Sequence, residues 1–223
     1  MKFRHELKHE INFSDMLALR QNLRAVAKPD EHAQNGKYHI RSLYFDNIFD
    51  KALSEKINGV NKREKFRIRF YNGDKSHIRL EKKSKINGLS CKTSALLTEK
   101  EAELISKGDY ELIKNSDNPL LNEFYSKAKS DLLKPKTIVD YTREAFVYPA
   151  GNVRVTLDYE IRTGLCCTDF LNNDCTTIPV KGSPIILEIK WDEFLPTIIS
   201  DAVRLKNRRS SAFSKYAACR IYD

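Results

Sequence analysis

Arg, Lys and Glu recur at every second residue along several stretches of this chain: Arg4, Glu6 and Lys8; Arg67 and Arg69; Arg79, Glu81 and Lys83; Arg154, Thr156 and Asp158; Glu188 and Lys190; with Arg143 in a further segment. The intervening residues are mostly apolar: Phe66, Ile68 and Phe70; Ile78 and Leu80; Val153, Val155 and Leu157; Leu187 and Ile189. A period of two is that of a β-strand, whose side chains alternate between its faces. Guanidinium groups offer paired donors that match phosphate oxygens, and ammonium groups add compact positive charge. A carboxylate among them repels an anion unless a divalent cation stands between the two, as Mg²⁺ or Mn²⁺ does with phosphates. The pattern therefore predicts a metal-dependent site for an enclosed polyanion, a linear polyphosphate or a nucleoside triphosphate. One such strand alone reads as a solvent face with cross-strand ion pairs. Recurrence on five strands favours the site.

The elements that must carry these residues follow from the same periodicities. Strands are expected over 3–13, 38–45, 65–71, 77–85, 137–148, 152–163 and 184–191. Asn72-Gly73-Asp74 makes 65–85 a hairpin, and a second turn is expected at Asn87-Gly88. Ser14 is placed as the cap of a helix over 15–27, Thr98 and Glu101 form a capping-box pattern, and Asn118-Pro119 opens a helix to about residue 132. Two more helices are expected around 195–205 and 212–220, while residues 48–58 are ambiguous. Seven or eight strands without βαβ alternation or a GxGxxG loop indicate an α+β fold with an antiparallel sheet. Alternating polar and apolar faces suit either a barrel with a polar lumen or an open sheet with one wet face.

Composition narrows the partners. The 223 residues fit a single domain, 1–223. Thirty-nine Lys and Arg against thirty Asp and Glu give a formal charge of +9, which favours anionic partners. The basic residues are spread singly along strands instead of gathered in a stripe with aromatics, so no nucleic acid is expected. Five cysteines without CxxC spacing are read as reduced thiols. No apolar signal core opens the sequence and no run approaches the about 20 apolar residues of a membrane span, so a cytoplasmic protein without an integral membrane segment is expected. His5 and His9 fall on the apolar parity and are expected to be packed or partly exposed, and Trp191 is read as a packing residue. Lys206, Arg208 and Arg209 are read as a solvated basic loop.

Taken in order, FRHELKHEI (3–11), KFRIRFY (65–71), IRLEKKSK (78–85), YTREAF (141–146), VRVTLDYEIRT (153–163), LEIKW (187–191) and FSKYAACR (213–220) resemble the polyphosphate polymerase domain of the vacuolar transporter chaperone (VTC) type, within the triphosphate tunnel metalloenzyme superfamily. The resemblance implies an antiparallel eight-stranded β-barrel, a triphosphate tunnel, with flanking helices. It implies catalytic phosphate ligands at Arg67, Arg69, Lys83, Arg143 and Arg154. Lys8 and Lys215 complete the basic lining, and Arg4, Arg79 and Lys190 are assigned to substrate binding. Glu188 becomes the leading ligand for Mn²⁺ or Mg²⁺, with Glu6 and Glu81 as further metal or supporting groups. Tyr44 and Asp46 match a segment common in the family.

The activity implied is transfer of the γ-phosphoryl group of a nucleoside triphosphate to a polyphosphate chain, which needs no side-chain nucleophile. The first strand lacks the paired-glutamate ExExK pattern of the triphosphatase and adenylate cyclase branch, which favours the polymerase-like one. A tripolyphosphatase of the same fold and a non-catalytic polyphosphate-binding module are the alternatives. No phosphate-sensing domain or membrane region accompanies the expected tunnel. Protein partners are not legible.

Overall fold

The computed structural model describes residues 3–205 and 208–221; Lys206 of the basic loop lies outside them. In chain order the elements are β1 (His5–Ile11), α1 (Phe13–Val26), β2 (Lys28–Pro29), β3 (Lys37–Asp46), α2 (Lys51–Ile57), β4 (Arg63–Tyr71), β5 (Asp74–Ile86), β6 (Leu89–Leu97), α3 (Glu99–Ser106), α4 (Pro119–Ser130), β7 (Lys134–Tyr148), β8 (Val153–Thr163), β9 (Ile178–Pro179), β10 (Ile185–Trp191), α5 (Thr197–Ala202) and α6 (Lys215–Cys219). All the pairings are antiparallel, in the order β1-β10-β8-β7-β3-β4-β5-β6, with β2 and β9 as short additions to β7 and β8.

This eight-stranded path curls until its two edges meet. Arg4, just before β1, and Ser90 on β6 exchange both backbone hydrogen bonds, at 3.0 and 3.1 Å, and no other backbone pair is seen across this seam among the described residues. The result is an antiparallel half-barrel with flanking helices, the α+β tunnel architecture expected. Its tight turns follow from local chemistry. Asn72 and Gly73 both take the left-handed conformation, at φ 53° and 74°, that a two-residue hairpin requires, and glycine adopts it without steric cost.

Helices cover the convex side. α3 and α4 set Ala102, Ile105, Leu121 and Phe124 against Phe45, Phe66, Ile68, Ile78 and Leu80. α1 and α5 bring Met16, Leu19, Leu23 and Ile199 onto Val153, Val155, Leu157, Leu187 and Ile189. Burying the apolar parity here turns the charged parity inward, because successive side chains alternate faces. Part of the concave side is apolar too. Tyr216, Ala218 and Cys219 of α6 sit among Tyr44, Val139, Tyr141, Ile161 and Ile186, so the C-terminal helix fills one portion of the curl.

The structure corrects several boundaries. α1 is capped by Asn12, not Ser14: the Asn12 side chain accepts from the Asp15 N–H while Asp15 accepts from the Asn12 N–H. Residues 89–97 form β6, a strand whose Ser, Cys, Lys and Thr mute the alternation that signals one. The ambiguous stretch becomes α2, and α5 and α6 are shorter than expected, at six and five residues. There is no disulfide among the described residues. None of the described helices is long and apolar enough to cross a membrane.

Candidate active site

The concave face encloses a cavity of about 480 Å³. Among the described residues fourteen Lys and Arg side chains line it against three Glu, a balance that suits an anion. Of the predicted residues, Arg4, Glu6, Lys8, Arg67, Arg69, Lys83, Arg143, Arg154, Glu188, Lys190 and Lys215 all reach its wall. Two do not. Arg79 is exposed and outside the lining, although it is paired in register with Arg69. Glu81 lies behind the wall, almost fully buried as the counter-ion of Arg67 at 2.6 Å and of Lys92 at 2.8 Å.

Each strand delivers its groups already paired. On β4 and β5, the Arg67 guanidinium bonds Glu81 and donates to the Tyr44 hydroxyl at 2.8 Å, while Arg69 donates to Ser42 and to Tyr141, both at 2.9 Å. On β7 and β8, Arg143 grips Asp158 through two bonds of 2.6 and 2.7 Å and reaches Glu188 at 3.2 Å. Asp158 is fully buried and also accepts from Lys215 of α6. On the seam side, Lys8 stands between Glu6 at 3.1 Å and Glu188 at 3.5 Å. Lys83 bonds Glu6 at 2.7 Å and Lys190 pairs with Glu188 at 3.3 Å. Arg4 pairs with Asp192 and Arg154 with Asp30, both at 2.8 Å. Such pairing fixes the cations before any ligand arrives, so little ordering remains to oppose binding.

Electrostatic strain is visible in the proton affinities. Burial and the neighbouring Glu188 push the Glu6 carboxyl up, but Lys83, Lys8 and Lys190 overcome them and hold it at about 2. Glu188 is buried as well, yet Lys190, Lys8 and Arg143 hold it well below the usual carboxylate range. Burial lowers Lys83 to about 8, with Lys8 adding to the fall against the attraction of Glu6. Lys65 is lowered furthest, to about 7, by burial and then by Lys83, Arg67 and Lys8, against the pull of the Tyr44 phenol. The Tyr44 phenol itself would be raised by burial, but Arg67, Lys65 and Arg69 bring it down to about 7.

Lys65 is a wall residue that the strand pattern passed over. It faces Lys83 in register, and its ammonium lies 5.0 Å from the centre of the Tyr44 ring and 5.9 Å from that of Tyr216. Tyr44, Tyr71 and Tyr141 line the cavity too, with Arg69 over the last two rings. Lys56 of α2 and residues 211–216 ahead of and within α6 complete the wall. The alternation of Lys65 with Arg67 and Arg69 was the available signal for the lysine; Tyr44 and α6 were marked only by the family resemblance, and nothing local marks Tyr71 or Tyr141. His5 stacks on Trp191 at 5.3 Å and His9 is half-buried, both on the far side of β1 from the cavity.

Among the described residues no three His, Cys, Asp or Glu cluster as a metal cage. Glu6 and Glu188 nevertheless line the cavity on either side of Lys8. Mg²⁺ commonly takes one or two protein carboxylates and completes its shell with phosphate oxygens and water. This donor set therefore fits a divalent cation that arrives with a phosphate ligand, at Glu188 and Glu6 and not at Glu81. On the wall the Thr156 hydroxyl and the Arg154 Nε are buried and have no hydrogen-bond partner among the described residues.

A sequence model described as the VTC domain matches residues 3–221. No curated protein matches the chain. Among solved structures, HpAC1 from Hippeastrum, an assigned adenylyl cyclase whose dominant activity is that of a triphosphatase, is similar at 13% identity and a TM-score of 0.57, covering 97% of this chain and 94% of that one. A protein from Bacillus halodurans assigned as an adenylate cyclase is similar at 14% identity and a TM-score of 0.52, covering 85% and 80%. PH1012 from Pyrococcus horikoshii OT3 is similar at 12% identity and a TM-score of 0.52, covering 95% and 96%. At these identities the likeness is one of fold.

Proposed function

Because the chain belongs to the VTC domain family, we propose that its cavity binds the triphosphate of a nucleotide and transfers the γ-phosphoryl group to a polyphosphate chain. The observation that carries this reading is the wall of fourteen Lys and Arg, whose innermost members are already fixed by buried carboxylates. Phosphoryl transfer asks the protein for positioning and charge neutralisation more than for covalent chemistry. Arg67, Arg69, Arg143 and Arg154 would hold phosphate oxygens, with Lys8, Lys83, Lys190 and Lys215 neutralising charge between them. The unpartnered Thr156 hydroxyl and Arg154 Nε would each find a phosphate oxygen. A divalent cation at Glu188 and Glu6 would supply further neutralisation of the transferred group. Glu6 and Glu188 stay ionised at neutral pH, as a metal ligand must.

Purified protein incubated with ATP, Mn²⁺ and a short polyphosphate primer should lengthen the primer on a gel and release ADP; no lengthening and no ADP would overturn the reading. Glu188→Gln should abolish metal-dependent turnover while retaining or improving polyphosphate affinity, since it removes a negative charge from an anion site. Unchanged turnover would remove Glu188 from the metal site.

A second reading is a triphosphatase, which the activity of HpAC1 brings to mind for this fold. It would release orthophosphate from tripolyphosphate without lengthening any chain. Against it, Arg4 just before β1 and Glu6 and Lys8 on it line the cavity, so arginine stands where the first glutamate of ExExK would be. A pure binding module would take up polyphosphate in calorimetry and remain inert with every divalent metal.

A further inference from the structure

The segment between β8 and β9, residues 164–177, carries three of the five cysteines and lies outside the cavity. It is tied to β7 where the Gly164 N–H donates to the Ile138 carbonyl, and wound by short turns in which the Cys167 N–H donates to the Gly164 carbonyl and the Cys175 N–H to the Asn172 carbonyl. Phe170 anchors its middle, fully buried, with its ring 4.8 Å from that of Phe70 on β4. These constraints bring the sulfurs of Cys167 and Cys175 to 2.8 Å across eight positions of sequence. That separation is less than about 1 Å longer than the about 2.05 Å of a disulfide bond. Both thiols are half-buried, while Cys166 beside them is exposed.

The surroundings favour reaction at this pair. The Arg41 guanidinium, fixed by two bonds to Asp140 at 3.0 and 2.9 Å and by the Asn172 carbonyl, interacts electrostatically with both sulfurs. A cation beside a thiol favours the thiolate, its nucleophilic form. Burial, and then its hydrogen bond to Cys167, pushes the Cys175 thiol up to about 12, which disfavours Cys175 as the first nucleophile.

We propose that Cys167 and Cys175 are a modification site that closes to a reversible disulfide on meeting a low-molecular-weight disulfide, stapling the 164–177 segment to itself around Phe170. The Cys167 thiolate attacks one sulfur of the reagent, whose S–S bond breaks and releases one thiolate; that thiolate takes a proton from water. Cys175 then gives its proton to solvent and attacks the Cys167 sulfur, expelling the second reagent thiolate, which is protonated in turn. Two protein thiols lose two electrons and two protons, and one reagent disulfide becomes two thiols.

The test is incubation of the full chain with glutathione disulfide, blocking of remaining thiols with N-ethylmaleimide, and peptide mass spectrometry. The expected product is a Cys167–Cys175 linked peptide, two hydrogens lighter than its reduced parts and lost on treatment with dithiothreitol. In Cys175→Ser the reaction should stop halfway, with glutathione retained on Cys167. A link formed through Cys166 instead, or maleimide on both Cys167 and Cys175 after prolonged incubation, would overturn the proposal. Chymotryptic cleavage after Phe170 should slow several-fold in the oxidised wild type and stay unchanged in Cys175→Ser. Equal rates in oxidised and reduced wild type would overturn the stapling.

Discussion

Arg143 shows how binding and stability share the same side chains. Its guanidinium is the two-bond partner of Asp158, which has no exposure at all, and among the described residues Lys215 is the cation left bonded to Asp158 if Arg143 is removed. Leaving a buried charge undercompensated costs about 3–5 kcal/mol. Arg143→Ala should therefore lower the melting temperature by on the order of 10 °C, and Arg143→Ala/Asp158→Asn should recover part of that stability without recovering anion binding. Recovery of both would mean that Arg143 serves the fold alone.

Lys65, the lysine lowered furthest, shares the pH dependence of the site with Lys83 and Tyr44. Its ammonium faces Lys83 from β5, Lys8 from β1 and Arg67 on its own strand, with the phenols of Tyr44 and Tyr216 beneath it. Its folded pKa of about 7 lies below the ordinary 10.5, so the empty cavity sheds this positive charge as pH rises through neutrality. Affinity for tripolyphosphate should fall by on the order of tenfold between about pH 6 and about pH 9, given about 1.4 kcal/mol per pKa unit restored by the anion. Lys65→Arg, which keeps its charge, should flatten that profile in part, leaving the slope that belongs to Lys83 and Tyr44. The ligand-free protein should respond in the opposite sense. The unfolded chain binds the extra proton between about pH 7 and about pH 10, so this residue's contribution to stability rises with pH across that window. Calorimetric titrations and thermal melts across pH check both signs.

At the scale of elements, the turn between β7 and β8 couples the sheet to the chain that follows β10. Gly151 sits at φ 70°, and a Cβ there would stand 2.3 Å from the Phe194 carbonyl oxygen. Gly88, at φ 80° in the β5–β6 turn, has nothing within 4 Å of the same position. Gly88→Ala should lose about 1–2 kcal/mol for the left-handed conformation. Gly151→Ala should lose clearly more in the same chemical denaturation assay, because the 192–196 segment must also move. Equal losses would show that this segment yields without cost.

Elements were legible in sequence where a periodicity and a turn signal agreed. Asn72-Gly73 between KFRIRFY and HIRLEKKSK left one arrangement open, and the hairpin formed there. β6 escaped because SCKTSALL alternates small and weakly polar residues, and its place is decided by pairing with β5 instead of by its own pattern. Asn12 and Ser14 are both good caps, and only the reciprocal bond from Asp15, three residues after Asn12, selects between them. The charged parity of β1, β4, β5, β8 and β10 placed Glu6, Lys8, Arg67, Arg69, Lys83, Arg154, Glu188 and Lys190 on the cavity wall and passed over Lys56, Arg63, Lys65, Lys85 and Lys92. Arg79 shares that parity and still falls outside, since alternation gives the face of a strand but not how far along it the cavity extends. α6 entered the wall only through the resemblance carried by FSKYAACR, which put Lys215 in the lining; by their own pattern five residues are too few to show which surface they will cover.

Seen as a whole molecule, the cavity is bounded by a sheet whose edges touch at one backbone pair, Arg4 with Ser90. Glu6 reinforces that seam, joining Lys8 on β1 to Lys83 on β5 and accepting from the Ser90 hydroxyl at 3.2 Å. The binding groups therefore belong to both sides of the seam: Arg4, Lys8 and Lys190 on one, Lys83, Arg67 and Arg69 on the other. Much of the attraction between cavity and ligand is electrostatic, and added salt should weaken tripolyphosphate binding steeply.

The single bridge makes the ring a stave barrel with one loose joint, and a ligand that spans it acts as the hoop. Closing the ring and holding the anion are then one thermodynamic event, so the amides of Arg4 and Ser90 should exchange hydrogen quickly in the empty protein and slow together when tripolyphosphate is added. Unchanged exchange at the joint alongside tight binding would mean that the staves hold without the hoop. If they do not, the ligand is a structural member of the barrel for as long as it stays, and saturation a hundredfold above Kd would add about 2.7 kcal/mol to its stability.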